Sequence, residues 1–350
     1  GEFDFVVVGG GATGMLVACR LAQENYSTLV LEQGPDIVGS RNPLHKLDRE
    51  APFAGIYNRG QGKYIDRLKG TVGGEDAVFE VPKVVGGAGV VLGPKSYQRG
   101  HQQDWAAENK NFPLKYEDHG LILYYKKLEN VDEAHIHRGD RGRFVLSRGK
   151  YVARAYQPIL QAFNECGMRL LHDFNNPHGW SGAGAGRLEA LIDDVSGVNC
   201  SSSIQYVKYV NEFQRPLTIR GGANVQSVEL NDTGVATGVT LASGETIDAA
   251  RGVILAAGAI GTPQVLQRTA NVQEHVQQYL QDDRLWSVPC DTMRYRTSGA
   301  VECSLAPMSN PLIAMLSRIE WMRHGRGWFA GSYDDMSCFI ESSVSRQRRA

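Results

Sequence analysis

The sequence predicts an α/β fold, and three observations carry that prediction. An apolar run, Asp4-Phe5-Val6-Val7-Val8, enters the turn Gly9-Gly10-Gly11-Ala12-Thr13-Gly14, which opens an amphipathic stretch from Met15 to Ala22. A second apolar run, Leu29-Val30-Leu31, ends in the acid Glu32. Far downstream, Ala249-Ala250-Arg251-Gly252-Val253-Ile254-Leu255-Ala256-Ala257-Gly258 reads as a buried strand returning to a small-residue turn, after which a helix begins with Pro263 in its first turn.

The first of these units has the order of parts a dinucleotide site needs. Gly9 permits a tight turn, Gly11 lets backbone N–H groups approach a pyrophosphate, and Gly14 lets the helix pack closely on the sheet. The helix N-terminus then meets phosphate charge with unsatisfied donors. Glu32 follows Gly14 by 18 residues and stands where a carboxylate accepts from ribose hydroxyls, which favours FAD or NAD over NADP.

Composition sets the outer bounds. A chain of 350 residues suits one large or two medium domains with a substantial core. A formal net charge of −1 gives no reason to expect nucleic acid or an anionic membrane as partner. No apolar run reaches the length of a membrane span. No signal or transit peptide is visible ahead of the first strand, and the compartment stays open. The six cysteines show neither CxxC spacing nor a zinc pattern, and Cys19, mid-helix, is expected to pack as a small apolar residue. Three tripeptides match the N-glycosylation sequon: Asn25-Tyr26-Ser27, Asn199-Cys200-Ser201 and Asn231-Asp232-Thr233.

Between the strand-helix units the pattern is less regular. Residues 35–80 read as irregular and polar, punctuated by Gly60, Gly62, Gly70, Gly73 and Gly74. A second glycine-rich turn, Val84-Val85-Gly86-Gly87-Ala88-Gly89, leads to Arg99-Gly100-His101. Helices are expected over 113–130 and 151–166, and a helix end within 203–220 followed by the strand Pro216–Arg220. Val225–Leu230, a turn at Asn231-Asp232, and Gly238–Leu241 form a hairpin pattern.

Taken together, these blocks resemble the glucose–methanol–choline (GMC) family of FAD-dependent oxidoreductases. Asp4–Glu32 resembles its dinucleotide unit, Val84–Gly89 through His101 its flavin-facing signature, and Gly258-Ala259-Ile260-Gly261-Thr262-Pro263-Gln264 its second signature. Leu217–Arg220 leading to Val225 is similar to the strand whose valine meets the adenine through its backbone, and Leu280-Gln281-Asp282-Asp283 and Arg323–Gly327 are weaker matches. The resemblance implies a Rossmann-like FAD-binding domain assembled from about 1–34, 82–100 and 216–268, with inserted segments. A mixed α+β substrate domain would come from 101–215 and 269–350, incomplete at the C-terminus. It assigns to the cofactor Gly9, Gly10, Gly11, Ala12, Thr13, Gly14, Glu32, Gln33, Gly86, Gly87, Gly89, Val225, Ala257, Gly258 and Gly261.

The implied activity is oxidation of a CH–OH group in a small-molecule alcohol, with hydride passing from substrate carbon to flavin and oxygen or another acceptor restoring it. The family also includes non-redox members, hydroxynitrile lyases and a light-driven decarboxylase. A truncated member without catalysis of its own is the further alternative. Two departures stand out: the family's Asn-Gly is here Leu92-Gly93, and residues 267–280 look shortened. Nothing between 284 and 350 resembles the stretch holding the family's catalytic histidine, so no catalytic residue is assigned. His101, His135, His137, His172 and His178 match no such motif, and no metal site is expected. The tail Arg346-Gln347-Arg348-Arg349 fits a dibasic processing site or a solvated charged end.

Overall fold

The expected strand–turn–helix–strand unit is present at the head of the chain. The computed structural model describes residues 3–39, 64–72, 74–91, 96–99, 120–131, 137–148, 156–176, 183–193, 195–212, 214–272, 311–324 and 337–339. In chain order the first half contains β1 (Phe3–Val8), α1 (Ala12–Gln23), β2 (Thr28–Glu32), β3 (Ile65–Val72), β4 (Glu75–Pro82), α2 (Ala88–Val91), β5 (Ser96–Tyr97), α3 (Leu121–Leu128), β6 (Glu129–Val131), β7 (Phe144–Leu146) and α4 (Tyr156–Glu165). Then follow β8 (Gly184–Gly186), β9 (Glu189–Ala190), α5 (Ser202–Glu212), β10 (Leu217–Gly221), β11 (Val225–Leu230), β12 (Ala236–Leu241), β13 (Thr246–Leu255), α6 (Gly258–Arg268), α7 (Pro311–His324) and β14 (Ser337–Phe339). They divide into two compact units: Gly1–Arg49 with Ala54–Leu92 and Ser201–Arg296, and Glu50–Phe53 with Gly93–Cys200 and Thr297–Ala350.

The first unit is organised by a six-stranded sheet of order β10-β2-β1-β13-β12-β11. Strands β10, β2, β1 and β13 run parallel, with Val8 level with both Leu31 and Leu255, and Gly221 level with Glu32. Their carboxyl ends therefore share one edge, the edge at which open α/β sheets bind ligands. The hairpin β11–β12 extends the sheet antiparallel to the first half of β13.

Both faces of β2 and of the second half of β1 are buried, so they read as continuous aliphatic runs. Val6, Val7 and Val30 are fully excluded from solvent, and burying such a side chain stabilises by roughly 1.5–3 kcal/mol. Helix α1 buries Gly14, Met15, Ala18, Cys19 and Ala22, a stripe at helical spacing that packs against the sheet and α5. Cys19 sits in it as expected, its thiol 3.6 Å from the Tyr206 carbonyl, and burial pushes that thiol up to about 12.

Residues 65–82 correct the expectation of irregular chain over 35–80. They form the antiparallel ribbon β3–β4, in register from Ile65 opposite Pro82 to Val72 opposite Glu75. The hairpin is found where the sequence placed it; the strand expected to be buried at 249–258 is the end of β13, with Ala250 and Arg251 exposed and 252–255 half-buried, and α6 starts at Gly258, ahead of Pro263.

The second unit is built from short pairings: β5 with β9, β6 with β7, and β8 with β14. Its expected helices are present as α3 and α4, within the described parts of 113–130 and 151–166. Trp321 of α7 is buried and donates through Nε1 to the Gly197 carbonyl at 2.8 Å. Among the described residues no helix is long and apolar enough to cross a membrane.

Candidate functional site

The carboxyl edge of the parallel strands carries four backbone turns, and hydrogen bonds lock them together. Gly9 N–H donates to the Leu31 carbonyl at 2.8 Å, Ala256 N–H to the Val8 carbonyl at 2.8 Å, and Gly86 N–H to the Gly10 carbonyl at 2.9 Å. The three glycine blocks picked out in the sequence, at 9–14, 86–89 and 256–261, are thus brought to one place within the first unit. The turn after β2 is the fourth: Val85 N–H donates to the Pro35 carbonyl at 3.1 Å, and Gly222 N–H to the Gly34 carbonyl at 2.8 Å.

Each glycine is needed for a different reason. Gly9 has φ +106°, and a Cβ there would stand 2.3 Å from the Ala256 carbonyl oxygen. A Cβ on Gly14 would be 2.0 Å from the Gly9 oxygen, which is the close helix–strand approach expected of it. Gly87 has φ +55° and faces the Gly11 backbone, where a Cβ would come within 3.0 Å of the Gly11 Cα. Gly258 needs its left-handed φ of +80°, and a Cβ on Gly261 would meet the Ala257 methyl at 3.0 Å. A Cβ on Gly89 would run into the Ser201 side chain at 2.8 Å. Its smallness serves packing within the protein.

Gly11 stands apart. Its φ of −75° and ψ of −172° suit any residue, and a Cβ would meet nothing within 4 Å. Among the described residues nothing requires glycine here, and the space leaves room for a group lying against the backbone. Helix α1 starts at this point with no side-chain cap and no acid in its first turn. Its leading N–H groups and positive end therefore have no side-chain cap or first-turn acid to neutralise them, and Ala12 and Thr13 in that turn are exposed. An open cradle at an uncapped helix start fits a pyrophosphate.

Glu32, only 7% exposed, is the electrostatic hub of the edge. Its Oε2 accepts from Gly10 N–H at 2.9 Å and its Oε1 from Gly34 N–H at 3.0 Å. Burial pushes its carboxyl above the ordinary range, while the two N–H donors and the Lys83 charge pull it back. A carboxylate has about four acceptor sites, so bracing two turns leaves capacity for ribose hydroxyls. Gln33 follows, half-buried. Val225 opens β11 with its side chain in the sheet core at 5% exposure, two residues beyond Ala223, whose N–H donates to the Glu32 carbonyl at 2.8 Å. Ala257 N–H donates to Thr262 Oγ1 at 3.1 Å.

Gly34 escaped the sequence reading. A Cβ on it would lie 2.1 Å from the carbonyl carbon and oxygen of Lys83, so it sets how close the second glycine turn comes to the turn after β2. The signal was its position two residues after the strand-ending acid.

The second unit holds a buried charge cluster that sequence reasoning also missed. Glu129, wholly buried, accepts from Arg99 at both oxygens (Nε–Oε1 2.7 Å, Nη2–Oε2 2.5 Å) and from Arg138 Nε at 3.0 Å. Arg138 continues to Asp173 at 2.9 Å and Glu189 at 2.6 Å. Burial alone would lower its pKa, but Glu189, Glu129 and Asp173 outweigh that and hold it above the ordinary value. Asn175 accepts the Arg99 N–H at 2.9 Å and donates to the Tyr97 carbonyl at 3.2 Å. Arg99, from the block resembling a flavin-facing signature, thus directs its charge onto Glu129 inside the protein.

Of the histidines considered, His172 is exposed and His137 half-buried. His101, His135, His178, Leu92-Gly93, Asp282-Asp283 and the basic tail lie outside the described residues.

Fold and site define a dinucleotide-binding α/β protein. Residues 3–284 match the GMC oxidoreductase family, and the chain belongs to that family, whose cofactor is FAD. It is 28% identical over 284 residues to an oxygen-dependent choline dehydrogenase of Brucella anthropi, covering 78% of this chain and 50% of that protein. To the mitochondrial choline dehydrogenase of Mus musculus it is 29% identical over 275 residues, covering 76% and 45%. The solved structure of a fungal aryl-alcohol oxidase has the same fold, with a TM-score of 0.64 at 18% identity over 96% of this chain and 61% of that one. The chain spans about half the length of the curated relatives it matches.

Proposed function

We propose that this chain holds FAD along the carboxyl edge of its parallel strands, as part of a flavoenzyme that oxidises a CH–OH group of a small-molecule alcohol. The observation that carries the reading is the open space over Gly11 at the uncapped start of α1. The FAD-binding domain would be the first compact unit, Gly1–Arg49 with Ala54–Leu92 and Ser201–Arg296, and the second unit would belong to the substrate domain.

Gly9, Gly10, Gly11, Ala12, Thr13 and Gly14 would cradle the pyrophosphate, with Glu32 and Gln33 at the ribose and Val225 at the adenine. Gly86, Gly87 and Gly89 with Ala257, Gly258 and Gly261 would form the remaining backbone wall. When bound, FAD supplies the hydride acceptor, and oxygen or another acceptor reoxidises it. The chain's own contribution is shape and charge. The N–H groups of α1 hold negative charge in place, and Glu32 fixes the spacing of the Gly10 and Gly34 turns. No residue is assigned the substrate proton.

The test is the visible spectrum of the purified chain, with and without added FAD, followed by anaerobic addition of choline, pyridoxine and benzyl alcohols. A two-band flavin spectrum supports the site, and its bleaching by an alcohol supports the activity. Flavin retained but not reduced by any alcohol leaves the FAD site standing and removes alcohol oxidation. A colourless protein that takes up no FAD overturns both.

A further inference from the structure

The three sequons are chemically alike in sequence and are treated very differently by the fold. Asn199 is 1% exposed, and Cys200 and Ser201 are each 2% exposed; a glycan there has no room. Asn25 is exposed, but its tripeptide is fastened to the sheet. Its Oδ1 accepts from Arg215 at 3.1 Å. The Tyr26 ring stands edge-on to Phe5 at 5.3 Å with the Arg251 guanidinium 5.0 Å from its centroid. Ser27 N–H donates to Asp4 at 2.9 Å.

Asn231-Asp232-Thr233 forms the turn between β11 and β12, and every residue from 231 to 235 is exposed. The Asn231 side-chain oxygen accepts from Thr233 N–H at 3.0 Å, Thr233 Oγ1 at 2.8 Å and Val235 N–H at 2.9 Å. The amide is planar, so with Oδ1 turned onto the loop, Nδ2 faces away from it. Hairpin tips of this kind open at low free energy because few buried contacts hold them, and an acceptor peptide has to leave the surface to enter a transferase.

We propose that Asn231 is an N-glycosylation site of this chain. The donor is an oligosaccharide carried on a lipid pyrophosphate. A bond forms between Asn231 Nδ2 and the anomeric carbon, the bond from that carbon to the pyrophosphate oxygen breaks, Nδ2 gives up one proton, and the lipid pyrophosphate leaves. The Thr233 hydroxyl supplies the second element of the acceptor motif.

The chain, secreted from yeast behind a cleavable leader, is purified as the folded fraction. An endoglycosidase that leaves one sugar on each occupied asparagine precedes peptide mapping. The mapped sugar is expected on Asn231 and absent from Asn199, with occupancy at Asn25 below that at Asn231. Thr233→Ala should abolish the Asn231 modification and Thr233→Ser should keep it, with both variants melting within the error of the parent. A folded, secreted chain bare at Asn231, or one more heavily occupied at Asn25 or Asn199, overturns the assignment.

Discussion

Replacing Gly11 with valine separates a cradle that serves a ligand from one that serves the fold. The backbone at Gly11 lies in an extended conformation open to any residue, and a Cβ there meets nothing within 4 Å. The only structural cost is at the helix start, where glycine is the better cap by up to about 1 kcal/mol. Apo protein should therefore fold and melt within a few degrees of the parent. The valine methyls, however, would occupy the space proposed for the pyrophosphate. Losing one or two charge-assisted hydrogen bonds from the leading N–H groups of α1, at about 1.5–3 kcal/mol each, amounts to roughly 3 kcal/mol. At about 1.4 kcal/mol per tenfold, FAD should bind on the order of a hundredfold more weakly. Flavin fluorescence titration gives the Kd, and a thermal melt without FAD gives the control. An unchanged Kd in a folded variant refutes the placement of the phosphates. A variant that fails to fold refutes the claim that the space is empty of protein.

Gly14→Ala is the complementary case: its Cβ would stand 2.0 Å from the Gly9 oxygen, so α1 must shift, and urea unfolding of apo protein should show a loss of about 1–3 kcal/mol. Glu32→Gln presents an amide NH₂ to either Gly10 or Gly34 N–H, donor against donor, and should cost about 1–3 kcal/mol by the same measurement. Because burial raises the Glu32 carboxyl above its ordinary 4.5, its contribution to stability is present below about that pH and is lost as pH rises through the folded value. The glutamine variant should lack that slope in urea melts taken from pH 4.5 upward. Glu129→Gln leaves the Arg99 and Arg138 guanidiniums buried against a neutral partner. It should destabilise the second unit by about 3–5 kcal/mol, read as earlier amide exchange in β6, with FAD affinity at the first unit as the internal control.

The sequence made legible what depends on residues close together in the chain. The βαβ unit, the β11–β12 hairpin and the turn into α6 each carry their own period and punctuation within one contiguous stretch of chain, and the structure places the first two accordingly. The β3–β4 ribbon was hidden because its apolar alternation is interrupted, with Val78 61% exposed and Gly70, set under the Phe79 ring, bringing no side chain of its own. The pair Gly73-Gly74 between two runs of suitable length was the available signal. The Arg99–Glu129–Arg138 cluster was not readable at all. Arg99 stands 30 residues ahead of Glu129 and Arg138 nine beyond it with no periodic pattern linking them, and an arginine destined for a buried carboxylate has the same one-letter signature as one facing solvent.

The glycine blocks show why a motif match and a site are different claims. All of these glycines count equally in a pattern, yet Gly9 and Gly14 are demanded by contacts inside the fold, Gly34 by the Lys83 backbone, Gly89 by Ser201, and Gly258 by its own φ. Any protein that kept this sheet and these turns would need them, with or without a cofactor. Gly11 is the position in these turns whose smallness the described residues do not explain, and it stands at a helix start that carries neither side-chain cap nor acid. A ligand argument from the glycine-rich turn therefore rests on Gly11, while its neighbours establish only that the turn is held in the shape such a ligand would need.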